Sequence, residues 1–164
     1  MKQLIVVRHA KSSWGNIEIS DHDRPIKSIG INKTNKVVEF FRIEKILPEL
    51  IISSSAVRAF DTGVIIANGI GYDIDRIEKR KTLYHADEDD IYSEIFSIND
   101  SIDSLMIVAH NPTLTDFVNN FISPKIDNLP TTGAVCVEFK TNSWKNIVNA
   151  KFKVKFVIFP RMLT

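Results

Sequence analysis

Four residues of this sequence, Arg8, His9, Arg58 and His110, combine types and positions that could do chemistry. Arg8 and His9 end one apolar run, His110 directly follows another, and Arg58 comes shortly after the serine run 53–55. An imidazole can act as a nucleophile, and a guanidinium group matches the geometry of phosphate oxygens bidentately. A lone histidine at a strand end is more often structural, so the interpretation depends on all four together. A nucleophile surrounded by cations is what phosphoryl transfer requires.

The predicted starts of two helices strengthen the case for Arg58 and His110. Ser55 is a predicted N-cap of a helix over 55–67, which places Arg58 in the first turn, where a cation opposes the helix dipole. A bound anion would remove that conflict, although a solvated arginine is the alternative. His110 precedes a helix predicted to begin at 111–112. A bound dianion there would let the imidazole donate to a phosphoryl oxygen, and local capping or packing is the alternative.

The elements that must position these residues follow from apolar runs that alternate with helical patterns. Strands are predicted over 3–7, 50–53, 72–77, 105–109, 133–139 and 152–159. Helices are predicted over 30–41, 55–67, 87–98 and 111–122, with Asp87 as the N-cap of the third and Pro112 at the first position of the fourth.

This order of elements predicts an α/β fold, a three-layer sandwich in which a mostly parallel, mixed sheet is flanked by helices. No linker or repeat interrupts the chain, so one domain is expected over 1–164. Ligands of open α/β sheets bind beyond the carboxyl ends of the strands. Neighbouring strands are therefore expected to bring the segments that hold His9, Arg58 and His110 to one crevice.

Composition excludes several classes of function. Lys and Arg total 21 against 20 Asp and Glu, a balance that gives no support to a nucleic-acid or membrane-surface partner. No apolar segment approaches the length of a membrane span, and the single cysteine, Cys136, favours a reducing compartment, so we expect a cytoplasmic protein. The four histidines show no close-spaced pair and have no cysteine partners, so no metal site is expected.

Several short motifs occur in a fixed order along the chain. The first is the string Val7-Arg8-His9-Ala10-Lys11-Ser12-Ser13-Trp14. The others are Asp23-Arg24-Pro25 followed by Gly30, Ser53-Ser54 with Arg58-Ala59 and Thr62, Ala109-His110-Asn111-Pro112, Pro130-Thr131-Thr132-Gly133-Ala134, and Phe159-Pro160-Arg161. As an ordered set they resemble the histidine phosphatase superfamily, the phosphoglycerate-mutase-like proteins. The first string looks most like the small SixA-type phosphohistidine phosphatases, and the resemblance covers nearly the whole chain.

The resemblance implies a role for each site residue. His9 would be the nucleophile and would carry the phosphoryl group. Arg8 and Arg58 would hold the phosphate oxygens, and His110 would bind the phosphate and stabilise the transition state. Arg24 is a further candidate phosphate contact, with a surface arginine before a proline turn as the alternative. The family needs no metal ion and no organic cofactor.

Two departures from the family pattern bear on the substrate. Ala10 replaces the glycine of the family motif. Many relatives that cleave phosphate esters use a carboxylic acid to protonate the leaving alkoxide. The candidate acids here are His85 and the run 87–90, which begins with Asp87 and Glu88, although the favoured interpretation of this run is the acidic first turn of a helix.

A pocket without an effective proton donor for the leaving group favours phosphohistidine as the substrate, because its imidazole leaves far more readily than an alkoxide. We therefore expect a phosphatase that hydrolyses phosphohistidine on a protein through a covalent intermediate on His9. The alternatives are a phosphatase of small phosphorylated metabolites and a catalytically weak module that binds phosphorylated partners.

Overall fold

The computed structural model describes residues 1–164 and contains six strands and four α-helices. The strands are β1 (Lys2–Arg8), β2 (Leu50–Ser54), β3 (Glu78–Arg80), β4 (Ser104–Ala109), β5 (Ala134–Phe139) and β6 (Phe152–Ile158). The helices are α1 (Ser28–Ile43), α2 (Val57–Ile70), α3 (Glu88–Phe96) and α4 (Thr113–Val118).

All six strands form one mixed sheet in the order β3-β2-β4-β1-β5-β6. The pairs β3-β2, β2-β4 and β4-β1 are parallel, whereas β5 pairs antiparallel with both β1 and β6. The predicted α/β fold with a mostly parallel, mixed sheet is confirmed. The antiparallel pair at one end corresponds to the two strands predicted in the last third of the sequence.

The strand β1 shows why the sheet carries a helical layer on each face. Successive side chains of a strand point to opposite faces. Leu4 and Val6 enter one apolar core, which includes residues of α3 and α4, whereas Ile5 and Val7 enter a second core with residues of α1 and α2. Strand β1 is therefore buried on both faces, as its continuous apolar run predicts. None of the helices combines the length and the apolar character needed to cross a membrane.

The weak strand predicted over 72–77 is wrong. Residues Ile74–Arg76 form a 3-10 turn, capped by the side chain of Asp73, and the strand begins later, at Glu78. Tyr72 lies outside the sheet ladder because its backbone N–H donates to the Ala67 carbonyl oxygen at the end of α2. Its hydroxyl accepts from the Ile51 N–H and donates to the Arg76 carbonyl oxygen. The apolar pattern of 72–77 thus reflects packing beside β2.

The boundaries of α2 also differ from the prediction. Ser55 is not the N-cap, because the helix begins at Val57 with Ala56 in the cap position and no side-chain cap. The helix ends at Ile70, three residues beyond the predicted end, and the C-cap residue Gly71 adopts a left-handed φ of 81°. Arg58 still lies in the first turn, as predicted.

The fourth helix is shorter than the predicted 111–122. Pro112 occupies the cap position and α4 ends at Val118. The Asn111 carboxamide oxygen accepts from the Thr115 N–H, which supports the start of the helix. The Asn119 side chain forms two hydrogen bonds with the backbone of Ile126, and these bonds stabilise a loop in place of further helical turns.

Two smaller predictions are confirmed. The Asp87 side chain caps α3 in a reciprocal arrangement with Asp90, in which each carboxylate accepts from the other residue's backbone N–H. Cys136 is buried in the sheet, and burial raises the pKa of its thiol to about 12.

Gly30, one of the motif glycines, lies where α1 passes the Lys11 backbone. A Cβ at Gly30 would come within 2.5 Å of the Lys11 carbonyl oxygen, so no larger residue fits there.

Candidate active site

The carboxyl ends of β1, β2 and β4 bring three distant segments to one pocket of about 900 Å³. Arg8 ends β1 and pairs in register with Ala109, which ends β4, so His9 and His110 follow adjacent strand ends. Strand β2 lies on the other side of β4, and Arg58 sits at the start of the helix that follows β2. The structure thus brings together four of the residues singled out in the sequence.

The His9 ring is held so that one nitrogen is free for attack. Its Nδ1 donates to the Ala10 carbonyl oxygen at 2.8 Å, which leaves the lone pair of a neutral ring on Nε2. Burial, together with the positive charges of Arg58 and Arg8, lowers the pKa of His9 to about 4. The ring is therefore neutral near pH 7, with its free lone pair in the state that a nucleophile requires.

The His110 ring lies 5.1 Å from the His9 ring, measured between centroids. Its Nε2 is 2.7 Å from the Ser54 hydroxyl oxygen, while its Nδ1 is buried and has no hydrogen-bond partner in the protein. Burial is the main cause that lowers the pKa of His110 to about 3, and the nearby His9 and Arg58 lower it further. When Ser54 donates to Nε2, the single proton of the neutral ring is on Nδ1, where it can be donated to an anion.

Arg8 and Arg58 share an arrangement in which one end of the guanidinium group is fixed by the protein. Arg8 donates from Nη1 to the Leu129 carbonyl oxygen at 3.0 Å, and Arg58 donates from Nη1 to the Asp21 carbonyl oxygen at 2.7 Å. The Nε of each arginine is buried without a partner. Buried N–H groups are almost always hydrogen-bonded in native proteins, so these two donors indicate a missing ligand. An anion with several oxygens supplies the acceptors that they lack.

Asp21 is the site residue that sequence reasoning missed. Its carboxylate accepts from the Tyr84 hydroxyl at 2.6 Å, from Arg24 Nε at 3.0 Å and from Arg58 Nη2 at 3.2 Å. The Tyr84 bond, supported by the two arginines, holds the pKa of Asp21 far below its usual range. The available signal was the three-residue spacing of Asp21 and Arg24, which suits an ion pair across one helical turn.

Arg24 lines the same pocket, but most of its donors are engaged within the protein. Its Nη1 donates to the Ser12 hydroxyl at 2.7 Å and to the Ser13 carbonyl oxygen at 3.1 Å, while Nε bonds to Asp21. The guanidinium group also lies against the Trp14 ring, 3.5 Å from its centroid. Arg24 therefore fastens the loop that follows β1 to the pocket, and it adds positive charge at the rim.

The candidate acids separate into two groups. His85 lines the pocket, where its ring lies 4.0 Å from that of Tyr84 between centroids. The structure does not bring Asp87 and Glu88 to the pocket lining. Asp87 caps α3, and the Glu88 carboxylate accepts from the Asn120 side chain at 3.0 Å. Among the lining residues, the only carboxylate is that of Asp21.

No cluster of three or more histidine, cysteine, aspartate or glutamate side chains is arranged to hold a metal ion. The groups that converge on the pocket are instead imidazoles and guanidiniums. This combination suits a tetrahedral oxyanion such as phosphate.

Comparison with known proteins agrees with this chemistry. A family model of the histidine phosphatase superfamily (branch 1) matches residues 4–84. An uncharacterized protein of Mycobacterium leprae is 28% identical over 152 residues, which span 86% of this chain and 91% of the relative. The matched region of the family model contains Arg8, His9 and Arg58.

Solved structures share the fold over nearly the full length. The SixA protein of Agrobacterium tumefaciens superposes with a TM-score of 0.80 at 21% identity and covers 97% of this chain and 98% of its own. The protein histidine phosphatase SixA in complex with tungstate superposes with a TM-score of 0.81 at 15% identity, covering 98% of both chains. At these identities the likeness establishes a common fold.

Proposed function

We propose that this chain, whose residues 4–84 match the model of the histidine phosphatase superfamily, is a phosphatase that hydrolyses phosphohistidine on a protein through a phosphoryl intermediate on His9. One observation carries the proposal. Three buried nitrogens without partners, Arg8 Nε, Arg58 Nε and His110 Nδ1, belong to side chains that line the pocket of His9. A phosphoryl group offers acceptor oxygens to all three while its phosphorus faces the His9 lone pair.

The first step transfers the phosphoryl group between two imidazoles. His9 Nε2 attacks phosphorus, the bond from phosphorus to the substrate imidazole breaks, and the substrate ring takes a proton from solvent and leaves as neutral imidazole. The two guanidinium groups stabilise the charge on the equatorial oxygens. Because one P–N bond replaces another of the same kind, the transfer is close to isoenergetic.

The second step returns the enzyme to its starting state. A water molecule attacks the phosphorus of phosphorylated His9, the P–N bond breaks, and inorganic phosphate is released. The Ala10 carbonyl holds the Nδ1 proton throughout, so that Nε2 forms the P–N bond in the first step and regains its lone pair when that bond breaks in the second. The neutral His110 donates from Nδ1 to the phosphoryl group.

The preference for phosphohistidine over phosphate esters rests on the acids in the pocket. An alkoxide leaving group needs a proton, and a carboxylic acid that supplies one near pH 7 must have a raised pKa. The carboxylate that lines this pocket, Asp21, has a lowered pKa and is ion-paired. His85 remains the candidate proton donor for less reactive leaving groups.

The test compares three substrates in parallel: a phosphohistidine peptide, the matched phosphoserine peptide and a small alkyl phosphate. We expect kcat/KM to be at least about a hundredfold higher for phosphohistidine, because its imidazole leaves at least about a hundredfold more readily than an alkoxide that receives no proton from an acid. Comparable turnover of the alkyl phosphate would instead identify a phosphatase of small metabolites. In that case His85→Gln should abolish ester hydrolysis, which would assign the missing acid.

A further inference from the structure

Trp14 combines high exposure with a position at the pocket. Its side chain lies in the loop after β1 and is 75% exposed, yet it contributes to the pocket lining beside Lys11 and Arg24. The other tryptophan, Trp144, is fully buried. Large aromatic side chains left open to solvent beside a functional pocket are typical of binding surfaces.

The indole is held in place although the loop around it is exposed. The guanidinium carbon of Arg24 lies 3.5 Å from the ring centroid, so one face of the indole is covered by a cation. Arg24 itself is only 8% exposed and is fixed by hydrogen bonds to Asp21 and Ser12. Arg24 therefore supports one face of a rigid platform, and the exposure of Trp14 shows that much of the remaining ring surface is open.

The arrangement of the pocket decides which part of a substrate meets this platform. Arg8, Arg58 and His110 hold the phosphoryl group at the strand ends. In an in-line transfer the leaving group lies opposite the attacking nucleophile, away from His9. The rim of the pocket, where Trp14 lies, is therefore the place for the group that is attached to phosphorus.

We propose that Trp14 is a specificity-determining residue whose open face stacks on the ring of the leaving group. The inference rests on the proposed function, in which that ring is the imidazole of a phosphohistidine side chain. A flat indole can stack on a planar imidazole and gains much less from the flexible chain of a phospholysine. The platform favours ring-bearing leaving groups over ringless ones.

The test uses two phosphoramidate peptides, one with phosphohistidine and one with phospholysine, and compares each variant with the wild-type protein. Trp14→Leu should lower kcat/KM for phosphohistidine by about three- to tenfold, mainly through KM, because aromatic stacking contributes about that much. The loss for phospholysine should be less than twofold. Trp14→Phe, which keeps a smaller ring, should recover much of the phosphohistidine activity.

Ile17→Ala is the matched control, since Ile17 lies in the same loop, is fully open to solvent and does not line the pocket. It should leave both activities unchanged. An equal loss on both peptides in Trp14→Leu would overturn the proposal, because it would mean that Trp14 only supports Arg24. Equal activity of Trp14→Leu and the wild-type protein would also overturn it.

A failure of the proposed function gives a different result. If the wild-type protein does not hydrolyse phosphohistidine, the same variants are measured with phenyl phosphate and ethyl phosphate. A selective loss on phenyl phosphate in Trp14→Leu would uphold the platform with another ring-bearing substrate, and its absence would overturn the platform. Fluorescence gives a readout without turnover: phosphoimidazole should quench the emission of His9→Ala and leave that of His9→Ala with Trp14→Phe unchanged.

Discussion

Asp21 and Arg58 are joined by two hydrogen bonds that occupy one edge of the guanidinium group. Nη1 donates to the main-chain carbonyl oxygen of Asp21 at 2.7 Å, and Nη2 donates to its carboxylate at 3.2 Å. These bonds use one hydrogen of each terminal nitrogen, so the Nε hydrogen and the second Nη2 hydrogen remain available. Asp21 thus fixes the orientation of Arg58 and leaves its other edge for an anion.

Replacing Asp21 should impair catalysis more than phosphate binding. We expect Asp21→Asn to lower kcat by about 10- to 100-fold, because the amide loses the charge that strengthens the hydrogen bonds to Arg58 and Arg24, a total loss of about 1.5–3 kcal/mol. Inorganic phosphate should still inhibit, since every cation remains in the pocket. Steady-state kinetics with phosphate as an inhibitor measure both quantities.

The control for this variant is Asp23→Asn. The Asp23 carboxylate is exposed and contacts His22, outside the pocket lining, so its removal should change kcat by less than twofold. If Asp21→Asn and Asp23→Asn behave alike, Asp21 has no part in positioning Arg58.

The Asp87 side chain should matter for stability and not for catalysis. Asp87→Ala removes one half of the reciprocal cap of α3 and should lower the free energy of unfolding by about 1 kcal/mol. Urea denaturation measures this loss, and kcat for phosphohistidine should stay within twofold of the wild-type value. A large loss of ester hydrolysis without loss of stability would instead restore Asp87 as the general acid.

The two site histidines should make folding sensitive to mild acid. Their pKa values are lowered to about 4 for His9 and about 3 for His110, below the value of about 6.5 expected in the unfolded chain. Well above pH 6.5 neither state binds a proton at these rings. Below it the unfolded chain binds protons that the folded chain does not, so the free energy of unfolding must fall as the pH is lowered.

Urea denaturation at pH 7, 6 and 5 measures this effect, in a range above the titration of Asp21. Each histidine contributes at most about 1.4 kcal/mol per pH unit to the slope. His9→Gln and His110→Gln should each reduce the slope. A slope that is unchanged in both variants would mean that the two rings are not buried in their neutral form.

Local signals made it possible to predict the sheet and the meeting of Arg8, His9, Arg58 and His110 at one pocket. The apolar runs that became β1 and β4 are continuous, and each ends at a histidine. Asp87 was identified as a cap because a carboxylate before an acidic turn is a property of adjacent residues. Elements predicted from local patterns of this kind are present in the folded protein whenever the core packs around them.

The features that escaped prediction depend on long-range contacts. Asp21 bonds to Arg58 and Tyr84, which are 37 and 63 positions away along the chain. The one local signal, its spacing from Arg24, does not reveal either contact. The same holds for Tyr72, whose hydroxyl is fixed by the backbone of β2 and of Arg76. A segment with alternating β-branched residues has the sequence pattern of a strand. Only its hydrogen-bond partners in the folded protein show that it lies beside the sheet and not in it.

A trapping experiment shows whether His9 carries the phosphoryl group during turnover. The protein is mixed with a phosphohistidine peptide labelled at phosphorus, quenched in alkali within milliseconds to seconds, and digested to map the label. We expect acid-labile label on His9 that passes into inorganic phosphate, with no label and no turnover in His9→Ala. Label on any other residue, or phosphate release by His9→Ala at the wild-type rate, would contradict it, and binding without label or release would identify a phosphate-binding module.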